Sequence, residues 1–128
     1  EPSTLRVLVV DDHELTRLSL QLAFSSQENI QVDGTASNGK EAEDMVKSCY
    51  PDVIVLDLQM PVMDGWSASC KIKDISPRTQ IIAYSSVDEN YFQDTRATSR
   101  VDAFCRKDAP TNELVGLIKK LGECGNEP

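Results

Sequence analysis

The sequence predicts an α/β fold in which an open parallel sheet carries helices on both faces. Short apolar runs alternate with segments of helical periodicity along the whole chain, strand first and helix second. The runs are nearly continuous and rich in β-branched residues, which is typical of strands buried on both faces of a parallel sheet. The short connections between alternating elements favour the same architecture.

Five strands are predicted. The most apolar runs are Leu5–Val10, Val53–Leu56 and Ile81–Tyr84, and a weaker run covers Ala103–Cys105. The segment Ile30–Ala36 is a more polar candidate. Because crossovers between parallel strands are nearly always right-handed, few strand orders fit this succession.

Helices are predicted between the strands. Three segments place apolar residues on one helical face, and these residues are Leu15, Leu18 and Leu22, then Ala42, Met45, Val46 and Cys49, then Leu114, Leu117, Ile118 and Leu121. Trp66–Ile75 is a less regular helix. Glu89–Ala97 is the weakest, with Tyr91 and Phe92 as its large apolar anchors. A helix with so few apolar contacts should be the easiest to shift.

Size and charge limit the function. The 128 residues fit one domain at 1–128, with its core at about 5–121. No apolar run approaches the length of a membrane span, so we expect no membrane contact. The net charge of -8 argues against direct nucleic-acid binding by this segment, because such surfaces are basic. Since the first residue is Glu1 rather than Met, we expect the ends to belong to a longer protein.

The cysteines argue for a reducing environment. Four cysteines form no C-x-x-C pair and the chain has one histidine, a pattern that argues against a zinc site. Cys49, Cys70 and Cys105 lie in or beside apolar patterns, and we expect them to be buried, reduced thiols. Unpaired cysteines of this kind imply a cytoplasmic protein.

Polar residues follow the predicted strands. Asp11 and Asp12 follow the first, Asp57 the third, Ser85 the fourth and Lys107 the fifth, one residue after Arg106. The carboxyl ends of parallel strands lie along one edge of the sheet, where open α/β sheets bind their ligands. The sequence therefore predicts that three carboxylates, a hydroxyl and an ammonium meet in one crevice.

Such a cluster calls for cations. Two like charges about 4 Å apart repel by roughly 4 kcal/mol at an effective dielectric constant near 20. Lys107 supplies one positive charge, and Mg²⁺ suits carboxylates that leave room for water and a phosphoryl oxygen. A carboxylate nucleophile can form an aspartyl-phosphate, while a metal and a lysine neutralise the transferring group.

Each residue also has a plain structural interpretation. Asp11 and Asp12 could cap a helix that begins near Glu14. Asp57 could be a turn residue, Ser85 a loop hydroxyl and Lys107 a solvated charge. Their joint placement at successive strand ends favours the functional interpretation. For His13 we favour a packed or exposed loop residue over a metal ligand.

Four segments together resemble the receiver domains of two-component response regulators, and they are residues 7–13, 52–65, 81–86 and 104–108. The resemblance covers roughly residues 5 to 121. It implies a flavodoxin-like (βα)5 three-layer sandwich with strand order 2-1-3-4-5. The Lys107-Asp108 pair is most similar to receivers that precede a helix-turn-helix DNA-binding domain, which implies a link to transcription.

The resemblance implies roles for the acidic residues. Asp57 matches the phosphoacceptor, and with it Asp11 and Asp12 match the carboxylates that hold Mg²⁺. Asp12 is expected to bind the metal directly and Asp11 through water. The backbone carbonyl of Gln59 matches a further metal ligand.

It also implies roles for the remaining residues. Ser85 matches the hydroxyl that bonds the phosphoryl group, and Lys107 matches the lysine that pairs with a phosphoryl oxygen. Phe104 matches an aromatic switch position that responds to movement of Ser85. Gln59 and Val87 match two positions that set the lifetime of the phosphate. Because Val87 cannot orient a water molecule, we expect slow self-dephosphorylation.

Two departures from the family pattern stand out. Many receivers have proline after the conserved lysine, whereas Asp108 follows Lys107 here and Pro110 comes later. Residues 98–101 replace the usual small-residue turn before the last strand. The replaced turn concerns the geometry of the switch face and not the chemistry.

The implied partner is a sensor histidine kinase or a histidine phosphotransfer protein, and the resemblance also allows a homodimer on phosphorylation. The domain would act as a signalling phosphoacceptor that catalyses only its own phosphorylation and dephosphorylation. An aspartate-nucleophile phosphatase is the enzymatic alternative, but such enzymes typically carry Asp-x-Asp on one strand. A degenerate receiver that binds partners without phosphorylation is a third possibility.

Overall fold

The computed structural model of the protein describes residues 4–58, 65–86 and 100–126. Its elements are β1 (Leu5–Val10), α1 (Glu14–Ser25), β2 (Ile30–Ala36), α2 (Gly39–Cys49), β3 (Val53–Asp57), α3 (Gly65–Ile75), β4 (Gln80–Ser85), β5 (Ala103–Arg106) and α4 (Thr111–Asn126). The predicted alternation is confirmed for these elements. The helix predicted at 89–97 lies outside the described residues.

The strands form one parallel sheet in the order β2-β1-β3-β4-β5. This order confirms the prediction. β1 pairs with both β2 and β3, so the chain reverses its direction of travel across the sheet after β2. The carboxyl ends of β1, β3, β4 and β5 consequently lie side by side at one edge.

Two apolar clusters sandwich the sheet. Alternate strand residues point to opposite faces, so Val9 and Val55 pack with Phe24 and Ile118 on one face. Leu8, Ile54, Val46 and Ile72 belong to the cluster on the other face. The strands are apolar at consecutive positions because helices cover both faces. These clusters confirm the three-layer, flavodoxin-like architecture.

Helix α1 exposes the apolar stripe by which it was predicted. Leu15, Leu18 and Leu22 are 79%, 48% and 73% exposed, whereas Leu20 and Phe24 are buried. The helix is confirmed, but this stripe is not its core face. α1 carries apolar residues on more than one side, and packing selects the side that inserts the large Phe24 ring between the helix and the sheet.

The polar strand β2 is explained by its position. Among the described strands it pairs with β1 alone and forms an edge of the sheet. Most of its residues are only half-buried, so polar side chains are tolerated there. None of the described helices is long and apolar enough to cross a membrane.

The three described thiols form no disulfide among the described residues, and they are not equally buried. Cys105 is buried, as predicted, whereas Cys49 and Cys70 are only partly buried. The prediction of full burial was therefore wrong for these two. Both lie on helices that expose one side to solvent. The periodic apolar pattern does not distinguish residues at the centre of a buried helix face from residues at its margin.

Candidate functional site

The ends of four strands bring the predicted residues to one edge of the sheet. Asp57 is the last residue of β3 and lies in register with Tyr84 of β4. Ser85 is the next residue along β4, and its carbonyl accepts a 2.7 Å hydrogen bond from the Lys107 amide. Asp11 follows β1 directly, and its amide donates to Ala36 at the end of β2. Backbone pairing within the sheet thus fixes the backbone position from which each functional side chain extends.

Lys107 joins two carboxylates. Its Nζ lies 2.8 Å from Asp11 Oδ2 and 3.6 Å from Asp57 Oδ1. Asp11 and Asp57 are buried, at 1% and 2% exposure, while the Lys107 side chain is 20% exposed. Burial of two like charges is costly unless a cation accompanies them. The ammonium is therefore an integral part of the site.

The lysine also packs on an aromatic ring. Lys107 Nζ lies 5.8 Å from the centroid of Tyr84, within the range of a cation–π contact. Burial raises the pKa of the Tyr84 phenol above its usual value, and the nearby Cys105 and Asp11 act in the same direction. Tyr84 therefore remains a neutral phenol beside the charged cluster.

Asp12 and His13 complete the acidic side of the crevice. The His13 amide donates a 2.8 Å hydrogen bond to Asp11 Oδ1. His13 Nδ1 lies 3.1 Å from the same oxygen and 3.0 Å from Asp12 Oδ1. The Asp12 side chain is 28% exposed and that of His13 is 67% exposed. The acidic pair thus combines a buried member with one that solvent can reach.

The capping alternative for the acidic pair is not favoured. The N-cap residue of α1 is His13, whose side chain makes no capping hydrogen bond. Asp11 accepts the His13 amide, which lies before the first helical turn. These contacts organise the loop after β1 and leave carboxylate oxygens turned toward the crevice.

Arg17 was not anticipated from the sequence. Its Nη1 donates a 2.7 Å hydrogen bond to the backbone carbonyl of Asp11, and its amide donates to the carbonyl of His13. The guanidinium thereby ties α1 to the acidic loop. The sequence feature that could have pointed to Arg17 is its position one helical turn after His13.

Ser85 and Phe104 lie on a common face of the sheet. Ser85 is fully buried. Phe104 is in register with Ala83, two residues before Ser85, and packs against Leu58 and Ala83. Phe104 is only partly buried.

Among the described residues, a cluster of four can offer ligand atoms to one metal ion. One atom from each of Asp11, Asp12, His13 and Asp57 lies within 4.8 Å of the others. Asp11 Oδ2 and Asp12 Oδ1 are buried and accept no hydrogen bond within the described part of the chain, although Lys107 Nζ lies 2.8 Å from the first and His13 Nδ1 lies 3.0 Å from the second. Carboxylate oxygens are the donor atoms that Mg²⁺ prefers. Gln59 and Val87 lie outside the described residues.

Comparison with known proteins identifies the family. The model of the response regulator receiver domain matches residues 7–119. The chain belongs to this family.

Curated relatives of the receiver domain include response regulator protein VraR. The chain is 32% identical to VraR of Staphylococcus epidermidis over 126 residues, which are 97% of this chain and 60% of VraR. It is 32% identical to VraR of Staphylococcus aureus over 127 residues, which are 98% of this chain and 61% of that protein. The chain therefore spans about 60% of the length of the curated relatives it matches.

Solved receiver structures share the fold. The signal receiver domain of a NarL response regulator from Mycobacterium tuberculosis superposes with a TM-score of 0.86 at 29% identity, covering 95% of this chain and 98% of that one. The response regulator domain of CheB from Thermotoga maritima gives a TM-score of 0.80 at 30% identity, covering 98% of each chain. A receiver is a signalling domain of two-component systems that is phosphorylated by a kinase, and its acidic pocket binds Mg²⁺.

Proposed function

We propose that Asp57 of this receiver accepts a phosphoryl group from a phosphohistidine on a sensor histidine kinase or a histidine phosphotransfer protein. The observation that carries the proposal is the approach of Lys107 to both Asp11 and Asp57, at 2.8 Å and 3.6 Å. Three separate strand ends supply these groups. A plain turn aspartate would not need an ammonium and a second buried carboxylate beside it.

The transfer exchanges one bond for another. A carboxylate oxygen of Asp57 forms a bond to phosphorus, the bond from phosphorus to the donor histidine nitrogen breaks, and that nitrogen keeps the electron pair. Lys107 neutralises charge on the equatorial oxygens of the transferring group. The carboxylate is oriented because β3 ends at Asp57 and pairs with β4 there.

Asp11, Asp12, Asp57 and the backbone carbonyl of Gln59 would hold the Mg²⁺ ion. When bound, the metal neutralises phosphoryl oxygens that approach Asp57. The support comes from the buried carboxylate oxygens of Asp11 and Asp12 that accept no hydrogen bond within the described residues. Asp12 is the more exposed of the pair, consistent with direct access to an ion that arrives from solvent.

Ser85 and Phe104 would form the switch. A phosphoryl group on Asp57 draws the Ser85 hydroxyl toward it, and Phe104 rotates into the space that this movement leaves. Support comes from their shared sheet face and from the partial exposure of Phe104. The surface around β5 and α4 then presents a different shape to partners, so a local charge biases a two-state element.

The lifetime of the phosphate would depend on Gln59 and Val87. An apolar Val87 offers no group that orients an attacking water, so self-dephosphorylation is slow. The test is the rate of phosphate release from Val87→Glu compared with the parent. A rate no faster than that of the parent would count against this role for Val87.

We place the receiver in a longer regulator that acts on transcription through a DNA-binding domain, with a homodimer forming on phosphorylation. The support is the limited share of VraR that the chain spans. The segment itself has a net charge of -8 and would not contact nucleic acid directly. In this role the receiver catalyses its own phosphorylation and dephosphorylation and does not turn over other substrates.

The deciding experiment is intact-mass measurement after treatment with a small phosphodonor and Mg²⁺. We expect the parent to gain one phosphoryl group, and Asp57→Asn to gain none while keeping its circular dichroism spectrum. Asp44→Asn, an exposed carboxylate on α2, is the matched control and should behave as the parent. Chelation of Mg²⁺ should abolish the mass gain.

Phosphorylation of a folded Asp57→Asn variant would refute the assignment of Asp57 as the phosphoacceptor. Steady turnover of a generic phosphate ester would indicate an aspartate-nucleophile phosphatase instead.

A further inference from the structure

We propose that His13 is an additional metal ligand that biases this pocket toward divalent ions with a preference for nitrogen. The inference rests on the proposed metal pocket and not on phosphoryl transfer. It starts from the placement of an imidazole nitrogen among the same oxygens that would hold Mg²⁺.

The distances suit coordination. Ligands that are adjacent in an octahedral shell with bonds of about 2.1 Å lie about 3.0 Å apart. His13 Nδ1 lies 3.1 Å from Asp11 Oδ1 and 3.0 Å from Asp12 Oδ1. An ion bound directly by Asp12 Oδ1 would therefore find the ring nitrogen already at the spacing of an adjacent ligand.

The ring is held at the pocket by its polar contacts. His13 is 67% exposed, so apolar packing does little to fix its side chain. Its backbone is fixed by the hydrogen bond from its amide to Asp11 Oδ1 and by its place as the N-cap of α1. A rigid backbone with a free outer ring edge allows Nδ1 to approach an ion without disturbing the fold.

The tautomer decides what Nδ1 does. With a proton on Nδ1, the ring donates a hydrogen bond to Asp11 Oδ1. With the proton on Nε2, the Nδ1 lone pair faces the same oxygen, and the arrangement is favourable only when a cation lies between them. A bound metal would supply that cation, and the Nδ1 lone pair would then bind it.

A nitrogen ligand changes selectivity. Carboxylate and water ligands suit Mg²⁺ and Mn²⁺, whereas imidazole suits Ni²⁺ and Zn²⁺. A pocket built from Asp11, Asp12 and Asp57 alone would favour Ni²⁺ over Mg²⁺ only weakly. The addition of His13 should raise the affinity for Ni²⁺ and leave the affinity for Mg²⁺ nearly unchanged.

The first test compares affinities by isothermal titration calorimetry on the unphosphorylated protein, without any histidine tag. His13→Phe keeps a planar ring without a lone pair, and His13→Asn keeps a polar side chain without the imidazole. We expect both variants to bind Ni²⁺ at least about tenfold more weakly than the parent, and Mg²⁺ within about threefold. An equal loss for the two ions, or no loss for Ni²⁺, would overturn the proposal.

A control fixes the location of the bound ion. Asp12→Asn should weaken the binding of Ni²⁺ and Mg²⁺ alike, because both ions use that carboxylate. If Asp12→Asn leaves Ni²⁺ binding unchanged, the ion is bound elsewhere, for example by cysteines, and the proposal fails.

The second test observes the ring directly. His13 is the single histidine of the chain, so nitrogen NMR of labelled histidine reports one imidazole. Zn²⁺ should move the Nδ1 resonance to the position of a metal-bound nitrogen, and Mg²⁺ should not. An unchanged Nδ1 resonance at saturating Zn²⁺ would refute coordination by His13, while normal Mg²⁺ binding and phosphorylation of Asp57 would leave the proposed function intact.

Discussion

The ammonium of Lys107 lies closer to Asp11 than to Asp57, at 2.8 Å against 3.6 Å. In this arrangement the lysine lies closer to a carboxylate of the proposed metal pocket than to the proposed phosphoacceptor. An ion bound at Asp11 would compete with Lys107 for that carboxylate. The ammonium would then be free to move the short distance to a phosphoryl group on Asp57.

Substitution of Lys107 should therefore separate metal binding from phosphorylation. Lys107→Gln removes a positive charge beside the pocket, and we expect Mg²⁺ to bind about tenfold more tightly by calorimetry. Phosphorylation by a small donor should become slower, because no ammonium neutralises the transferring group. Lys40→Gln on α2, a well-exposed lysine, should change neither property. Weaker Mg²⁺ binding by Lys107→Gln would contradict the competition.

The exposed stripe of α1 predicts an unusual pattern of stability. Leu18→Gln and Leu22→Gln should each change the free energy of unfolding by less than about 0.5 kcal/mol, because both side chains face solvent. Leu20→Ala on the same helix should cost about 2–5 kcal/mol, since Leu20 is buried against the sheet. Urea unfolding followed by circular dichroism gives both values. A large loss for Leu18→Gln would show that the stripe is buried in solution.

The ion pair between Lys73 and Asp102 should be a stabilising contact within the fold. Lys73 Nζ lies 2.8 Å from Asp102 Oδ2, and the lysine side chain is only 8% exposed. The same oxygen accepts the Ile81 amide at 2.8 Å. Asp102→Ala would leave a buried ammonium and an amide without this acceptor, and we expect a loss of about 2–3 kcal/mol.

A second substitution checks the cause. Lys73→Met in the Asp102→Ala background removes the buried charge and should restore part of the lost free energy of unfolding. Asp44→Ala breaks the exposed pair between Lys40 and Asp44 and should cost less than about 0.5 kcal/mol. If Lys73→Met lowered the stability of Asp102→Ala further, the ammonium would not be the source of the loss.

Cys105 should be the least reactive of the described thiols. Burial raises its pKa from 9.0 to about 11, and Glu113 and Asp108 act in the same direction. At a given pH below this range, a shift of two units leaves about a hundredfold less thiolate. Alkylation followed by peptide mass analysis should label Cys49 and Cys70 before Cys105 in the native protein. After unfolding, the three thiols should be alkylated at equal rates. Equal alkylation rates in the native protein would refute the burial argument.

The same shift has a consequence for stability. The folded state holds the Cys105 proton to a higher pH than the unfolded chain does, so the stability contributed by the neutral thiol is present below about pH 9 and falls between about pH 9 and 11. Cys105→Ala should make the decline of stability over this interval shallower, although Tyr84 also has a raised pKa and adds to the decline. A decline of unchanged steepness in Cys105→Ala would contradict this assignment.

The elements and the edge of the sheet could be predicted well. Runs such as Val53–Leu56 indicated strands covered on both faces, and the polar residue after each run marked the edge where the site would lie. Asp11, Asp57 and Lys107 do meet there. The convergence was predictable because parallel strands all end at the same edge, whatever their separation in the chain.

The sequence by itself determined the succession of strands and helices and the identity of the residues at the rim, because side-chain periodicity and strand direction are local properties. The tertiary structure alone decided which face of α1 is buried, which carboxylate holds Lys107 and where His13 points. Each outcome is a choice between two similar arrangements. Either apolar face of α1 could pack on the sheet, Lys107 could pair with Asp11 or Asp57, and His13 could contact Asp11 or Asp12. Differences of about an ångström in packing decide between these alternatives. The order of residues along the chain does not specify distances at that scale.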